Sequence, residues 1–76
     1  MEPIDDAVVV RNDRGTLAFD LTRLRRPRWN LICAVANRIT ALSRRGQSAR
    51  AIAPVRVRPL LESAGLSPAL IDSPTI

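Results

Sequence analysis

The chain has no histidine, no lysine and no tyrosine, a single cysteine (Cys33) and only two aromatic residues, Phe19 and Trp29. Each shortage removes a class of chemistry. Without histidine the common zinc ligand sets cannot be assembled, and Cys33 has no imidazole to activate it as a nucleophile. A lone cysteine closes no internal disulfide and points to a reducing, cytoplasmic setting. The three glycines form no phosphate-cradling loop. The carboxylates are Glu2, Asp5, Asp6, Asp13, Asp20, Glu62 and Asp72. They fall mostly in turns or near the termini, at no spacing that would pair two of them for acid–base work. The expectation is therefore a protein that is not an enzyme and holds neither metal nor cofactor. The opening MEPIDD is acidic with no apolar run behind it, unlike a signal peptide. Residues 29–37, the longest uncharged run of the main helical segment, fall well short of the roughly 20 residues a membrane span needs. No integral membrane association is expected.

The missing lysine has a counterpart: all 12 basic residues are arginine. One explanation is codon usage, or a gene overprinted on another reading frame. The other is selection for guanidinium, whose planar fork holds phosphate and carboxylate better than an ammonium does. The two are compatible. Under either, the net charge of +5 favours acidic partners.

The 76 residues suffice for one small domain, spanning 1–76, with a modest core that a second copy of the chain would reinforce. Its organising stretch is 27–46, PRWNLICAVANRITALSRRG. Proline suits a helix start and glycine a helix end. Between them Trp29, Ile32, Val35, Ala36, Ile39 and Leu42 recur at helical spacing. This predicts a helix over 27–45 that buries Trp29 and its neighbours, with Cys33 as a small residue at the margin of the apolar face. Ahead of it, after a polar lead-in at 1–6, the segment 7–22 reads as a β-hairpin about the turn Asn12-Asp13-Arg14-Gly15. Opposing Arg11 to Thr16 places Val8, Val10, Leu17, Phe19 and Leu21 on one apolar face, which the helix would cover. Within this region RGTLAFDLTRLR, from Arg14 to Arg25, resembles in outline the swapped-hairpin DNA-binding transition-state regulators and antitoxins: strand, turn glycine, strand, basic Leu-Arg segment. The likeness covers little of the chain and lacks the proline that follows the second strand, Asp20 standing near its place. The swapped fold is therefore not the expectation.

The segment 46–76 is interrupted by prolines. Val55-Arg56-Val57-Arg58 alternates strictly and predicts a short third strand, confined to an edge by Pro54 and Pro59. PLLESAG repeats the proline-start, glycine-stop pattern as a helical turn, and Ser67 is a candidate N-cap for a last turn, PALID. The tail 73–76 is expected to be loose. Leu60, Leu61, Leu66, Leu70 and Ile71 either close the core or dock on a partner, and they are the candidate partner or dimer contacts. The predicted class is α+β: an N-terminal hairpin on one long amphipathic helix, a short third strand and C-terminal helical turns.

Function follows from the arginines. Arg23, Arg25, Arg26 and Arg28 cluster before the helix, where the macrodipole disfavours cations. The run is either a solvated surface or an anion site built from guanidinium forks and backbone donors. With Asn30, Asn37, Arg38, Arg44 and Arg45 on the helix and Arg56 and Arg58 beyond it, these residues are the candidate nucleic-acid or anion-binding set. Scarce aromatics, with Trp29 assigned to the core, favour duplex over single strand. The expectation is a small regulatory or accessory protein that binds duplex nucleic acid stoichiometrically. The alternative is a phage- or virus-type accessory protein that grips an acidic surface of a host protein through its hairpin edge and C-terminal leucines. Peripheral membrane binding through the long helix ranks below both.

Overall fold

Two consecutive residues with positive φ close the first hairpin and set its register. The computed structural model describes residues 8–74; the expected lead-in at 1–6, Ala7 of the expected hairpin and the last two residues of the tail lie outside them. Strand β1 (Val9–Asp13) runs antiparallel to β2 (Thr16–Asp20), with Asp13 opposite Thr16 and Arg11 opposite Ala18. Arg14 has φ 54° and Gly15 φ 88°, the signs a two-residue primed turn requires, and Asn12 Oδ1 accepts the Gly15 N–H at 3.1 Å. The expected register paired Arg11 with Thr16, so the true turn is tighter. The slip is an even number of residues, so the predicted faces survive, with Val10 opposite Phe19, but on the edge strand Val10 is not covered as expected and stays exposed.

Helix α1 (Trp29–Arg44) begins two residues after Pro27, with Arg28 at its N-cap. Leu31, Ile32, Val35, Ala36 and Ile39 form its buried stripe, and Leu42 packs at the margin. The Gln47 N–H returns to the Leu42 carbonyl at 2.9 Å and turns the chain into β3 (Ala49–Ile52). Trp29 departs from expectation: it is 51% exposed. Its azimuth is that of Ile32 and Ala36, but it is the first residue of the helix. Side chains on a helix tilt toward the N-terminus, so the indole projects past the end of the packed layer.

The third strand also lies elsewhere than expected. β3 is Ala49–Ile52, parallel to β2 (Leu17 opposite Ala49), and it is interior, since β4 (Ile71–Asp72) pairs parallel on its other side. The sheet order is β1-β2-β3-β4. Ala49, Ala51 and Ala53 face inward and are buried. The Val55–Arg58 segment is not a strand. Pro54 opens a turn whose carbonyl accepts the N–H of Val57 (2.9 Å) and of Arg58 (3.1 Å), leading into α2 (Arg58–Ser63). The two valines part company: Val57 is fully buried and Val55 is 83% exposed.

Pro59 in the first turn and Gly65 just beyond the end bound α2, as the sequence suggested. Gly65 at φ 98° lets the Leu66 N–H reach back to the Leu61 carbonyl at 3.1 Å, and both leucines enter the core. A short 3-10 turn, Pro68–Leu70, precedes β4; Ser67 stands at its N-cap position but its side chain makes no capping bond. Ile71, expected in that last turn, is the first residue of β4. α1 and α2 pack together on one face of the sheet. The other face carries Val9, Arg11, Ala18, Asp20, Arg50, Ile52 and Asp72, none of them buried.

The C-terminal apolar residues belong to this core. Leu61, Leu66 and Ile71 are buried, and Leu60 and Leu70 are half-buried against them. Of the two roles the sequence left open, core closure is the one they fill. A leucine deleted from such a site costs on the order of 2–5 kcal/mol, comparable to the whole stability of a small domain. Leu61→Ala should therefore abolish the cooperative thermal transition followed by circular dichroism. At the hairpin, Arg14→Asn installs the Asn-Gly pair that the primed turn favours. It should stabilise by roughly 0.5–1 kcal/mol; a destabilised variant would place the turn at other residues.

Candidate nucleic-acid interface

Parallel pairing brings three strand ends to one edge. The Leu21 N–H donates to the Ile52 carbonyl and the Ala53 N–H to the Asp72 carbonyl, each at 2.9 Å. From this edge the β2–α1 connector (21–28) and the β3–α2 connector (53–57) depart. Open α/β sheets present their ligands to this end of the strands. The two connectors carry Arg23, Arg25, Arg26, Arg28 and Arg56, and no carboxylate.

The first connector is anchored rather than loose. Leu21 and Leu24 are buried, and the Leu24 N–H donates to the Leu21 carbonyl at 3.2 Å. Arginines occupy the positions between and after these leucines and all four are exposed. Arg56 ties the two connectors together: its Nη2 donates to the Leu24 carbonyl at 3.2 Å. Asp20 sets the direction of departure. Its Oδ1 accepts the Thr22 N–H at 2.9 Å and the Thr22 hydroxyl at 2.6 Å, an Asx turn at the strand end. Burial by itself favours the neutral acid, but the Thr22 donors and the charges of Arg11 and Arg23 outweigh it and hold the carboxyl below its ordinary value.

The carboxylates nearest this edge, Asp20 and Asp72 at the ends of β2 and β4, are already engaged. Asp20 pairs with Arg11 at 3.8 Å and Asp72 with Arg50 at 2.7 Å, both on the open face of the sheet. Arg58, at the start of α2, pairs with Glu62 at 3.4 Å. Among the described residues no ion pair reaches Arg23, Arg25, Arg26, Arg28 or Arg56. The N-terminus of α1 has no side-chain cap and no acidic residue in its first turn. Its orphan N–H groups therefore open onto the same edge as the guanidinium groups.

The expected set does not form one patch. Arg44 and Arg45 lie at the far end of α1, beside the hairpin turn, where Gln47 Nε2 donates to the Gly15 carbonyl at 2.7 Å. A helix of this length spans about 24 Å. Asn30, Asn37 and Arg44 recur every seven residues along one exposed row of α1, and Arg38 and Arg45 along the next. This polar stripe links the two ends. Arg56 and Arg58 do not share a strand face as expected; Arg56 joins the arginine edge and Arg58 starts α2.

Sequence reasoning missed three features. Trp29 and Val55 are exposed apolar residues at the arginine edge, where periodicity had assigned Trp29 to the core and Val55 to an edge strand. Arg50 lies on β3, held by Asp72 Oδ1 and, at 3.2 Å, by the Ala69 carbonyl. Ala49-Arg50-Ala51-Ile52 carries too little β-branched bulk to have signalled it. Cys33 is half-buried on α1. Among the described residues no cluster of carboxylate and thiol groups is suited to a metal ion, and no helix is long and apolar enough to cross a membrane. Comparison with family models, with curated proteins and with solved structures yields no match for this chain.

Because the folded state holds Asp20 ionised, the carboxylate stabilises above its unfolded value, near pH 4, and that stability is lost as pH falls through the lower folded value. Asp20→Asn should cost roughly 1 kcal/mol in urea unfolding at pH 7. The deficit should shrink as pH falls below the unfolded value, near 4. A deficit that persisted unchanged on acidification would show that the charge is not its source.

Proposed function

We propose that this chain is a non-enzymatic regulatory or accessory protein that binds nucleic acid stoichiometrically, with the arginine edge as its primary contact and the polar stripe of α1 as its extension. The observation that carries this reading is the arginine edge itself: five guanidinium groups on two anchored connectors that hold no carboxylate, at an uncapped helix start. Fixed cations in that arrangement repel one another, and a phosphate backbone offsets the repulsion while releasing its own counterions. Each guanidinium offers a planar fork to a phosphate, and the outer face of α1 offers Asn30, Asn37 and Arg38, side-chain types suited to contact base edges.

The preference for duplex rested on scarce aromatics and on Trp29 lying in the core. The scarcity stands, but Trp29 is half-exposed, which weakens the second ground, and the phosphate backbone is the chemistry common to duplex and single strand. The protein-binding alternative keeps its hairpin edge, β1, but has less apolar surface to grip with, since Leu61, Leu66 and Ile71 are buried and Leu60 and Leu70 half-buried. The expected homodimer would form across β1, the long edge strand of the sheet. A cytoplasmic location remains part of the proposal and rests on the free thiol of Cys33.

Four or five phosphate contacts imply that affinity falls about 50- to 500-fold between 50 and 200 mM salt, the lower part of the range applying to a single strand. Anisotropy titration of a labelled random-sequence oligonucleotide should show this loss. Arg25→Ala with Arg26→Ala should flatten the logarithmic slope by about 2. Arg44→Ala with Arg45→Ala, at the far end of α1, should change it less. Absence of binding even at 50 mM salt would refute the reading.

A further inference from the structure

We propose that the arginine edge takes single-stranded nucleic acid, and that the indole of Trp29 is the platform on which an unpaired base stacks. This rests on the nucleic-acid reading above and adds the class of ligand. Trp29 is one of only two aromatic residues in the chain, and the other, Phe19, is buried. A domain with so little aromatic surface would stabilise its core by enclosing the indole, yet half of it faces solvent.

Its placement matches the ligand. Trp29 opens α1, so its side chain tilts toward the edge from which the connectors depart. Arg28 and Asn30 flank it, and both are exposed. Sequence neighbours on a helix do not face each other, so Arg28 is poorly placed to cover the ring as an intramolecular cation–π partner. Across the edge, the Arg56 tie to the Leu24 carbonyl brings the second connector alongside, with Val55 as further exposed apolar surface.

The edge thus alternates guanidinium groups with one π face. A single strand alternates the same chemistries, a phosphate for each fork and an open base face for the ring. A duplex offers only the phosphates, because its base faces are stacked on one another. A lipid surface would use the arginines too. It is the weaker fit because Trp29 and Val55 are the only large exposed hydrophobic residues at this edge among the described residues, Val10 belonging to the hairpin, and two side chains offer little apolar surface for insertion.

The test compares a labelled 12-nucleotide single strand with a hairpin duplex of the same composition at 50 mM salt. Affinity is read by anisotropy of the label, so that variants lacking the indole are measured in the same way. The single strand should bind at least tenfold more tightly and quench Trp29 emission. Trp29→Ala should weaken single-strand binding about 5- to 150-fold, the equivalent of one stacked base. It should leave duplex affinity within about twofold, and Trp29→Phe should restore most of the loss. Circular dichroism of both variants checks the fold, which a half-exposed residue at a helix start should not disturb. If Trp29→Ala changes nothing while Arg25→Ala with Arg26→Ala abolishes binding, stacking is wrong and the arginine reading stands. If neither strand form binds, both are wrong. If Trp29 emission shifts on vesicles of phosphatidylserine and not on the strand, the edge meets a lipid surface and both are overturned.

Discussion

The fold depends on how closely α1 can approach β3. Its two inward positions, Ala49 and Ala51, and Ala53 just beyond its end are all alanine and all buried. Small side chains let a helix settle low over a strand, so the larger residues of α1 supply the volume: Ile32, Val35 and Ile39 are fully enclosed. Replacing an alanine here with a larger residue would overpack the layer, which costs as reliably as a cavity does. With α1 seated over β3, the chain that leaves β2 crosses over the sheet and returns parallel to it. That crossover makes the sheet mixed, since the hairpin adds an antiparallel strand on one side and α2 delivers β4 on the other.

Parallel order has a consequence for charge. It forces the connectors after β2 and β3 to emerge at the same edge, whatever their composition. In this chain the first is built from leucines that enter the core and arginines that cannot. The leucines fix the backbone, and the arginines inherit its rigidity without contributing to the core. Meanwhile Asp20 and Asp72 lie on the open face of the sheet, where each already has an arginine. The paired arginines are Arg11 and Arg50 on the open face and Arg58 on α2; among the described residues the connector arginines, like Arg14, Arg38, Arg44 and Arg45 elsewhere, carry no ion pair. The open face is unsuited to a dry apolar interface, because two ion pairs cross it and would have to be desolvated.

What could be read from the sequence follows from the range of the interactions involved. α1 was legible because its apolar period extends over four turns, and the hairpin because β-branched residues and a turn glycine are local signals. The helical nature of α2 was legible from Pro59 and Gly65. β3 was not, because Ala49-Arg50-Ala51-Ile52 has almost none of the β-branched bulk by which strands are recognised. Its strand character comes from the sheet and helix around it. Val55-Arg56-Val57-Arg58 shows the reverse case: alternation and valine promise a strand, but Pro54 starts a helical turn and separates the valines. The arginines at 23–28 were legible as a cluster, whereas the arrival of Arg56 beside them depends on a contact 32 residues away in sequence.

Trp29 illustrates the limit of periodicity as an argument. An azimuth says which side of a helix a residue occupies, but burial also depends on where along the axis the neighbouring layer stops. The first turn of α1 reaches that limit, and there a side chain with the angle of the core meets solvent instead. The largest apolar side chain of the protein thus stands beside its densest unpaired positive charge. A guanidinium group without a partner is costly to bury, so a connector that covered the indole would have to keep Arg25, Arg26 and Arg28 in water.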